Sequence, residues 1–298
     1  MDSKISAFSD DLSSVFAQAA AVAAEAGVNG LALRNAGGRN VAALDSSEVA
    51  EIKRLADSHG LELSALASQV GRNSFLEDEG SAAKAAEQLR PIVDHASFLG
   101  TASIRVFGPW LHGKDALQRW AERPALRDRL DEVLEWFAPS VALAEDAGLT
   151  LMVELEGASY IGQVAEAREL LLSACSPALA LCWDVCNGWW SGELPLEEGL
   201  SRARDLPIVD VQTKDVRSQP GRPQSPTFDQ VVLGEGDLPY AAIVRGLLAR
   251  GYTGWFTAER VYHPRKPEEN PILQRNMLAD IRALRSLLAN AKQPGPGS

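Results

Sequence analysis

The chain contains little cysteine. Cys175, Cys182 and Cys186 are the only three in 298 residues, and they form no CxxC pair. An odd and sparse set of this kind argues against a disulfide scaffold and against a thiolate zinc site. Cysteine that is not paired is commonly buried, so we expect three buried free thiols.

Long apolar runs and basic clusters are missing as well. No stretch approaches the roughly 18 uninterrupted apolar residues of a membrane span, and the first ten residues lack the basic-then-apolar pattern of a secretory signal. We therefore expect a soluble, cytoplasmic protein with no membrane partner. The 29 basic and 40 acidic residues give a net charge of −11, which would repel a phosphate backbone, so we expect no nucleic-acid partner.

Several nucleotide-binding and hydrolase motifs are absent. The sequence has no Walker GxxxxGK[ST], no GxSxG elbow and no HExxH. A Rossmann domain would carry GxGxxG in its first strand-to-helix turn, whereas the glycine-rich stretch LGEGD at 233–237 is late and lacks the third glycine. These absences argue against a Rossmann or P-loop nucleotide-binding domain, an α/β-hydrolase and an HExxH metalloprotease.

Short apolar runs alternate with helical periodicity along the whole chain. The strand candidates are KISAF, GLALR, LELSALAS, SIRVF, LTLMVE, LALCWD, IVDVQT and GWFTAE. The helical stretches fall near residues 11–26, 46–59, 81–99, 124–147, 162–174, 196–204, 239–250 and 270–290. Eight alternations in a chain of this length predict a single (β/α)₈ barrel rather than a doubly wound sheet. We assign residues 1–291 to the barrel and 292–298, rich in Pro and Gly, to a disordered tail.

Polar side chains end the last four predicted strands. In a (β/α)₈ barrel the active site is built at the carboxyl ends of the strands. Side chains alternate along a strand, so a polar residue in register with the inward face points into the mouth of the barrel. The four strand-end residues with oxygen-bearing side chains are Glu154, Asp184, Gln212 and Glu259.

Three carboxylates crowded at one mouth need a compensating charge. In a low-dielectric cavity they repel one another and take up protons unless a cation is present. A divalent metal would compensate them, and would stabilise an enediolate while two of the carboxylates act as general acid and base. The alternative for each carboxylate taken singly is an ordinary solvated position at a strand end.

The first half of the chain supplies further candidates for the ligand site. Arg34, Gln69 and the segment 107–110 lie where ligand-facing loops are expected. Trp110 and His112 are candidates to close over a sugar, with an apolar ring against C–H groups and a polar tip for a hydroxyl. The alternative for Trp110 is packing of a loop onto the barrel rim.

Four segments of the second half carry a resemblance to a known family. They are AGLTLMVELEG, LALCWDVCNGWWSGE, IVDVQTKDV and VVLGEGDLPYAAIVRGLLARGYTGWFTAER. Together they resemble the xylose isomerase-like barrel superfamily, which includes sugar isomerases and epimerases, inosose dehydratase, hydroxypyruvate isomerase and endonuclease IV. The resemblance is specific from about residue 140 to 262, and it implies the same barrel fold.

The resemblance implies roles for particular residues. The four strand-end residues would hold the divalent cation, and Glu154 and Glu259 would be the acid and base. Glu156, Asn187 and Arg217 fall at substrate-contacting positions. Histidine of the family is replaced here by Gln212, Asn187 and Glu156, and the resulting all-oxygen ligand set favours Mn²⁺ or Mg²⁺.

These observations predict a metal-dependent isomerase or epimerase that acts on a small keto-sugar or polyol through an enediolate. Dehydration, as in inosose dehydratase, or β-elimination of a keto-glycoside would use the same first step. The pattern also leaves open a non-catalytic sugar-binding barrel and a nuclease similar to endonuclease IV. Four scattered histidines and the acidic charge oppose the nuclease. Members of the family commonly form dimers or tetramers, so a homo-oligomer is compatible with the resemblance.

Overall fold

A computed structural model describes residues 3–112, 124–218, 228–260 and 270–292 of the chain. Its centre is a closed barrel of eight parallel strands, each paired with its neighbours in chain order and the last paired with the first. The strands are β1 Lys4–Phe8, β2 Gly30–Leu33, β3 Glu62–Ala67, β4 Ser103–Phe107, β5 Thr150–Glu154, β6 Leu179–Asp184, β7 Ile208–Thr213 and β8 Trp255–Ala258. The prediction of a single (β/α)₈ barrel is confirmed. Most of the predicted tail, residues 293–298, lies outside the described residues.

Helices surround this barrel. The principal ones are α1 Phe16–Glu25, α2 Ser46–Ser58, α3 Ser81–Leu99, α4 Leu130–Ala147, α5 Val164–Ala174, α6 Leu200–Arg202, α7 Tyr240–Ala249 and α8 Asn270–Ala291. Within the described ranges, none of these helices combines the length and the apolar character that crossing a membrane requires.

The helical predictions near 11–26 and 196–204 differ from the structure in detail. The stretch predicted near 11–26 is divided into a single turn, Ser9–Leu12, and α1. Ser13 is extended between them, and its hydroxyl accepts a hydrogen bond from the Val15 amide, which replaces a helical bond. The stretch near 196–204 is a π-helical turn, Pro195–Gly199, followed by α6.

Side chains of the barrel strands point alternately to two faces, so they pack in two separate parts of the core. Leu151 and Val153 of β5 pack in the large cluster that contains the inward faces of the helices. Met152, between them, packs instead with Ala65 and Cys182 in a small buried cluster. Since successive side chains of a strand point to opposite faces, Met152 and Glu154 share the inner face of the barrel. The packing therefore aims the end of β5 into the barrel mouth.

The three cysteines are free, and two are placed as expected. Cys182 and Cys186 are buried. The prediction is wrong for Cys175, which is exposed. Cys175 follows the last residue of α5 with a positive φ of 49°, where the chain leaves the helix at the surface.

A hairpin after β7 is held by one carboxylate. Residues Asp215–Ser218 pair antiparallel with Phe228–Val231. The Asp215 carboxylate accepts hydrogen bonds from the backbone amides of Val216, Gly234, Gly236 and Leu238. A Cβ on Gly236 would lie 2.2 Å from Asp215 Oδ1, so only glycine fits there. The KD and GEGD segments of the sequence thus form one structural unit beside Lys214.

A second buried carboxylate anchors the start of α5. Glu193 is fully buried, and its Oε2 accepts a hydrogen bond of 2.8 Å from the Val164 amide. Its other oxygen lies against Gly188 and Gly199, where an added Cβ would be 3.0 and 2.6 Å away. Burial raises the pKa of Glu193 to about 7, and the Val164 amide only partly opposes this rise.

Replacing Asp215 with alanine should lower the free energy of unfolding by about 2–4 kcal/mol, because four loop amides lose a shared acceptor. Urea denaturation of the purified protein measures this change. Asp229→Ala is the matched control, since Asp229 is an exposed aspartate on the facing strand of the same hairpin. Equal effects of the two substitutions would contradict the anchoring role of Asp215.

Glu193→Gln should change how stability depends on pH. In the unfolded chain Glu193 loses its proton near pH 4.5, whereas in the native protein it does so near 7. Its stabilising contribution is therefore complete below about 4.5 and is lost as pH rises through 7. Glutamine has no proton to lose. Between pH 5 and 8 the stability of the variant relative to wild type should rise by roughly 2–3 kcal/mol.

Denaturation at both pH values measures that difference. Glu197→Gln, at an exposed position of the same segment, controls for loss of charge alone. A difference between Glu193→Gln and wild type that stays constant from pH 5 to 8 would refute the raised pKa.

Candidate active site

The carboxyl ends of the strands surround a polar cavity of about 130 Å³. The described residues that line it come from the ends of β2 to β8 and from the segments that follow them. They are Arg34, Gln69, Arg72, Arg105, Phe107, Glu154, Glu156, Asn187, Trp190, Lys214 and Glu259. This placement is the one that the barrel fold predicts for a ligand site.

Glu154 ends β5 and is a buried residue in the wall of the cavity. Its Oε2 accepts hydrogen bonds from Arg105 Nη1 at 2.9 Å and from Gln212 Nε2 at 3.1 Å. Arg105 lies within β4, and β4 pairs with β5 in a register that sets Phe107 against Glu154. The sheet itself therefore brings this buried arginine to the glutamate.

Glu259 directly follows β8 and binds two cations. Its Oε1 accepts a hydrogen bond from Arg34 Nη1 at 3.0 Å, and its Oε2 accepts one from Lys214 Nζ at 2.8 Å. Arg34 is 2% exposed, and its other nitrogens donate to Asp10 and Asp11 at 3.0 and 2.9 Å. Glu259 is thus held ionised between two buried positive charges.

Asp184 ends β6 and is fully buried. Its Oδ1 accepts a hydrogen bond from the backbone amide of Asn187 at 3.0 Å, which caps the short helix Val185–Trp190. Its Oδ2 accepts a hydrogen bond from Lys214 Nζ. One ammonium group therefore bridges Asp184 and Glu259.

The two glutamates have different protonation behaviour. Burial raises the pKa of Glu154, and Arg105 only partly offsets it. Burial acts in the same direction on Glu259, but Lys214 and Arg34 outweigh it and lower the pKa of Glu259 below its usual value. Paired carboxyl groups whose environments separate their pKa values are typical of acid and base partners.

Burial and ion pairing also set the pKa values of Asp184 and Lys214. Burial raises the pKa of Asp184 to about 7, although Lys214 opposes the rise. Burial alone would lower the pKa of Lys214, but Asp184 and Glu259 raise it well above its usual value. Lys214 is therefore an ammonium ion at neutral pH.

The structure brings six of the predicted site residues together. The strand-end side chains form two hydrogen-bonded groups, Glu154 with Gln212 and Asp184 with Glu259 through Lys214, and Asn187 bonds to Asp184 and to Glu154. Glu156 and Asn187 line the cavity. The side-chain Nδ2 of Asn187 donates to the Leu155 carbonyl at 2.8 Å, which holds the Asn187 side chain beside Glu154.

Trp110, His112 and Arg217 do not line the cavity that the described residues form. Trp110 is 8% exposed and packs on the barrel rim, where it bridges to Phe75 and Ser159. His112 stacks on the Phe75 ring with the two centroids 4.1 Å apart.

Arg217 belongs to the hairpin after β7. It donates from Nη2 to the Glu235 carbonyl at 2.6 Å and is exposed. Substrate contact by Arg217, Trp110 and His112 stays a prediction.

Sequence reasoning missed the role of three buried cations. The sequence places Arg34 only on a ligand-facing loop and gives Arg105 and Lys214 no role beside the strand-end carboxylates. The available signal was a basic residue inside or directly after an otherwise apolar barrel strand. Such a charge is buried only where it is paired. The Phe8 ring lies beneath two of these cations, 4.4 Å from Arg34 and 5.8 Å from Arg105.

The predicted metal ligands do not fit a divalent cation in this arrangement. Lys214 Nζ lies between Asp184 and Glu259, and Arg105 and the Gln212 amide nitrogen are both bonded to Glu154. Gln212 Oε1 is a buried oxygen that accepts no hydrogen bond from any described residue, so this oxygen is still available to a metal ion. In the described part of the chain, no group of three or more His, Cys, Asp or Glu residues is arranged to hold a metal ion.

Solved structures of the same fold include enzymes and a magnesium complex. A xylose isomerase-like TIM barrel protein from Mycobacterium smegmatis in complex with magnesium is 18% identical, with a TM-score of 0.67 over 93% of this chain and 89% of that chain. The probable 3-DHS dehydratase AsbF from Bacillus anthracis is 16% identical, with a TM-score of 0.71 over 96% and 99%. An L-ribulose 3-epimerase is 17% identical, with a TM-score of 0.70 over 97% and 96%. At these identities the likeness shows the fold alone.

Comparison at the level of sequence gives the family. No curated protein matches the chain. The family model described as xylose isomerase-like TIM barrel matches residues 20–286, which is most of the chain. The chain belongs to the xylose isomerase-like TIM barrel family.

Proposed function

We propose that the chain is an enzyme that transfers a proton at a carbon next to the carbonyl of a small keto-sugar or related polyol, giving isomerisation or epimerisation. The observation that carries the proposal is the pair Glu154 and Glu259. They come from β5 and β8, are buried, and line one polar cavity. The membership of the family and the epimerases of the same fold support it.

The proposed reaction begins with loss of a proton from carbon. One glutamate takes the proton, the electron pair of the C–H bond forms the C=C bond of an enediolate, and the carbonyl electrons move onto oxygen. The other glutamate then returns a proton to the opposite face of the same carbon, or to the adjacent carbon. The first outcome is epimerisation. The second is isomerisation, in which the hydroxyl proton of the first carbon also moves to the former carbonyl oxygen, so that the first carbon becomes the new carbonyl. Ionised Glu259 is suited to the first role, and Glu154, which retains a proton more readily, to the second.

Fixed positive charge stabilises the developing oxyanion. Arg34, Arg105 and Lys214 line the cavity and are already oriented by the buried carboxylates. Donors that are in place before the reaction need little rearrangement as charge moves onto oxygen, and a cavity of low dielectric strengthens their effect.

The lining of the cavity indicates a small hydroxylated substrate. Carboxylate, amide and guanidinium groups can pair with hydroxyls, while the rings of Phe107 and Trp190 can contact C–H groups of a sugar. A large or purely apolar ligand would leave these buried polar groups without partners.

Dehydration is the second candidate. The dehydratase of the same fold from Bacillus anthracis favours it. Elimination would share the first proton transfer, and the intermediate would then expel the hydroxyl group β to the carbonyl, which takes a proton from the second glutamate and leaves as water. Product analysis by mass spectrometry separates the two, because dehydration lowers the mass by one water.

Exchange of substrate hydrogen with solvent tests the proposal. The purified protein is incubated in D₂O with a panel of ketopentoses and ketohexoses, and deuterium at the carbon next to the carbonyl is measured by NMR. Glu154→Gln and Glu259→Gln should each lower the exchange rate by about 10²–10⁴-fold, because each removes one proton-transferring group.

Glu62→Gln is the matched control. It makes the same chemical change at the opposite end of the barrel, where Glu62 begins β3 and is exposed. Exchange that survives in both active-site variants at the wild-type rate would refute the role of the glutamate pair.

A further inference from the structure

We infer that the Lys214 ammonium group takes the place of a divalent cation in this chain, so that the proton-transfer site operates without metal. The inference rests on the proposed function, since it concerns the same cavity. It departs from the sequence-based expectation of Mn²⁺ or Mg²⁺ on the four strand-end residues.

The first argument is the position of Lys214. Its Nζ lies 2.8 Å from Glu259 Oε2 and is also hydrogen-bonded to Asp184 Oδ2, and its side chain is 6% exposed. These oxygens belong to two of the four predicted metal ligands. Mg²⁺ binds oxygen at about 2.0–2.1 Å. An ion between these two oxygens would occupy the position of the ammonium group, so the metal and the lysine compete for the same place.

The second argument is the state of the other two predicted ligands. Gln212 turns its NH₂ group toward Glu154, with Nε2 3.1 Å from Glu154 Oε2. The same carboxylate oxygen accepts the Arg105 bond at 2.9 Å. An amide that donates to Glu154 does not share a cation with it. Gln212 stands where the family has a histidine. It therefore donates a hydrogen bond to Glu154 and does not bind a metal ion together with it.

The third argument is charge. Each of the carboxylates Glu154, Asp184 and Glu259 is in direct contact with a positively charged side chain, namely Arg105, Lys214 or Arg34, and Arg34 also binds Asp10 and Asp11. Buried carboxylates require compensation, and here side chains already supply it. A further divalent charge would have to displace one of these ion pairs.

Lys214 is also placed to act on substrate. Among the described residues its Nζ is hydrogen-bonded to Asp184 and Glu259, which leaves one of its three N–H groups for a substrate oxygen. The residue lines the cavity. A charge-assisted hydrogen bond from this ammonium would polarise the carbonyl and stabilise the enediolate oxygen.

Metal titration of variants tests the inference. Protein treated with EDTA and then dialysed is titrated with MnCl₂ and with MgCl₂ by calorimetry. Lys214→Met removes the ammonium group and keeps the length of the side chain. Lys84→Met is the matched control, because Lys84 is an exposed lysine on α3.

Wild type and Lys84→Met should show no saturable Mn²⁺ binding up to about 1 mM, whereas Lys214→Met should bind at least about 10-fold more tightly. In EDTA the midpoint of thermal unfolding of Lys214→Met should fall by on the order of 5–10 °C, because Asp184 and Glu259 lose their shared cation. Mn²⁺ should restore this midpoint and leave that of wild type unchanged.

Saturable Mn²⁺ binding by wild type at micromolar concentration would overturn the inference, and so would a folded Lys214→Met variant that gains no affinity for Mn²⁺. If Lys214→Met does not fold, Lys214→Arg replaces it. The arginine variant keeps the charge, so it should fold and bind no Mn²⁺, and Mn²⁺ binding by it or by wild type would again overturn the inference.

The two proposals can fail separately. If wild type binds Mn²⁺ tightly and the glutamate variants lose solvent exchange, the proposed function stands and the role of Lys214 is refuted. If wild type binds no Mn²⁺, Lys214→Met gains affinity for Mn²⁺, and exchange is independent of both glutamates, the role of Lys214 stands and the proposed function is refuted.

Discussion

Compensation of buried carboxylates is the constraint on which this structure depends. Three acidic side chains end strands of a closed barrel and are almost inaccessible to water, so each needs a positive partner. In every case the partner comes from a different strand or from the segment after it. Arg105 of β4 binds Glu154 of β5, and Lys214 after β7 binds the ends of β6 and β8. The order of strands around the barrel therefore fixes the charges of the cavity.

The surrounding structure keeps these partners in place. The Phe8 ring supports the guanidinium groups of Arg34 and Arg105 from within the barrel. The carboxylate of Asp215 collects four loop amides directly after Lys214, so the backbone that carries the lysine is tied to the loop at 234–238. Glu193 holds the first turn of α5 in a similar way. The positions of the charged side chains at the cavity are thus stabilised by the packing and hydrogen bonds of the residues around them.

The periodicity of apolar residues and the position of polar residues at strand ends were enough to predict the fold and the acidic part of the site. Apolar runs of strand length located all eight strands, and the rule that barrel sites lie at strand ends identified Glu154, Asp184, Gln212 and Glu259. The identity of the compensating charge could not be obtained in this way. A sequence shows that carboxylates converge, but whether a metal or a lysine meets them depends on side-chain directions that only the assembled barrel defines. For the same reason Trp110 and His112, close to the mouth in sequence, lie on the rim.

The ion pair between Arg34 and Glu259 joins residues separated by 225 positions in the chain. It crosses the seam where β8 pairs with β1 and β1 with β2. Contacts of such high sequence separation form late, because a long loop must close before they are gained. The cluster of charges at the cavity is consequently completed together with the barrel, and an incomplete chain on the ribosome carries Arg34 without its partner glutamate.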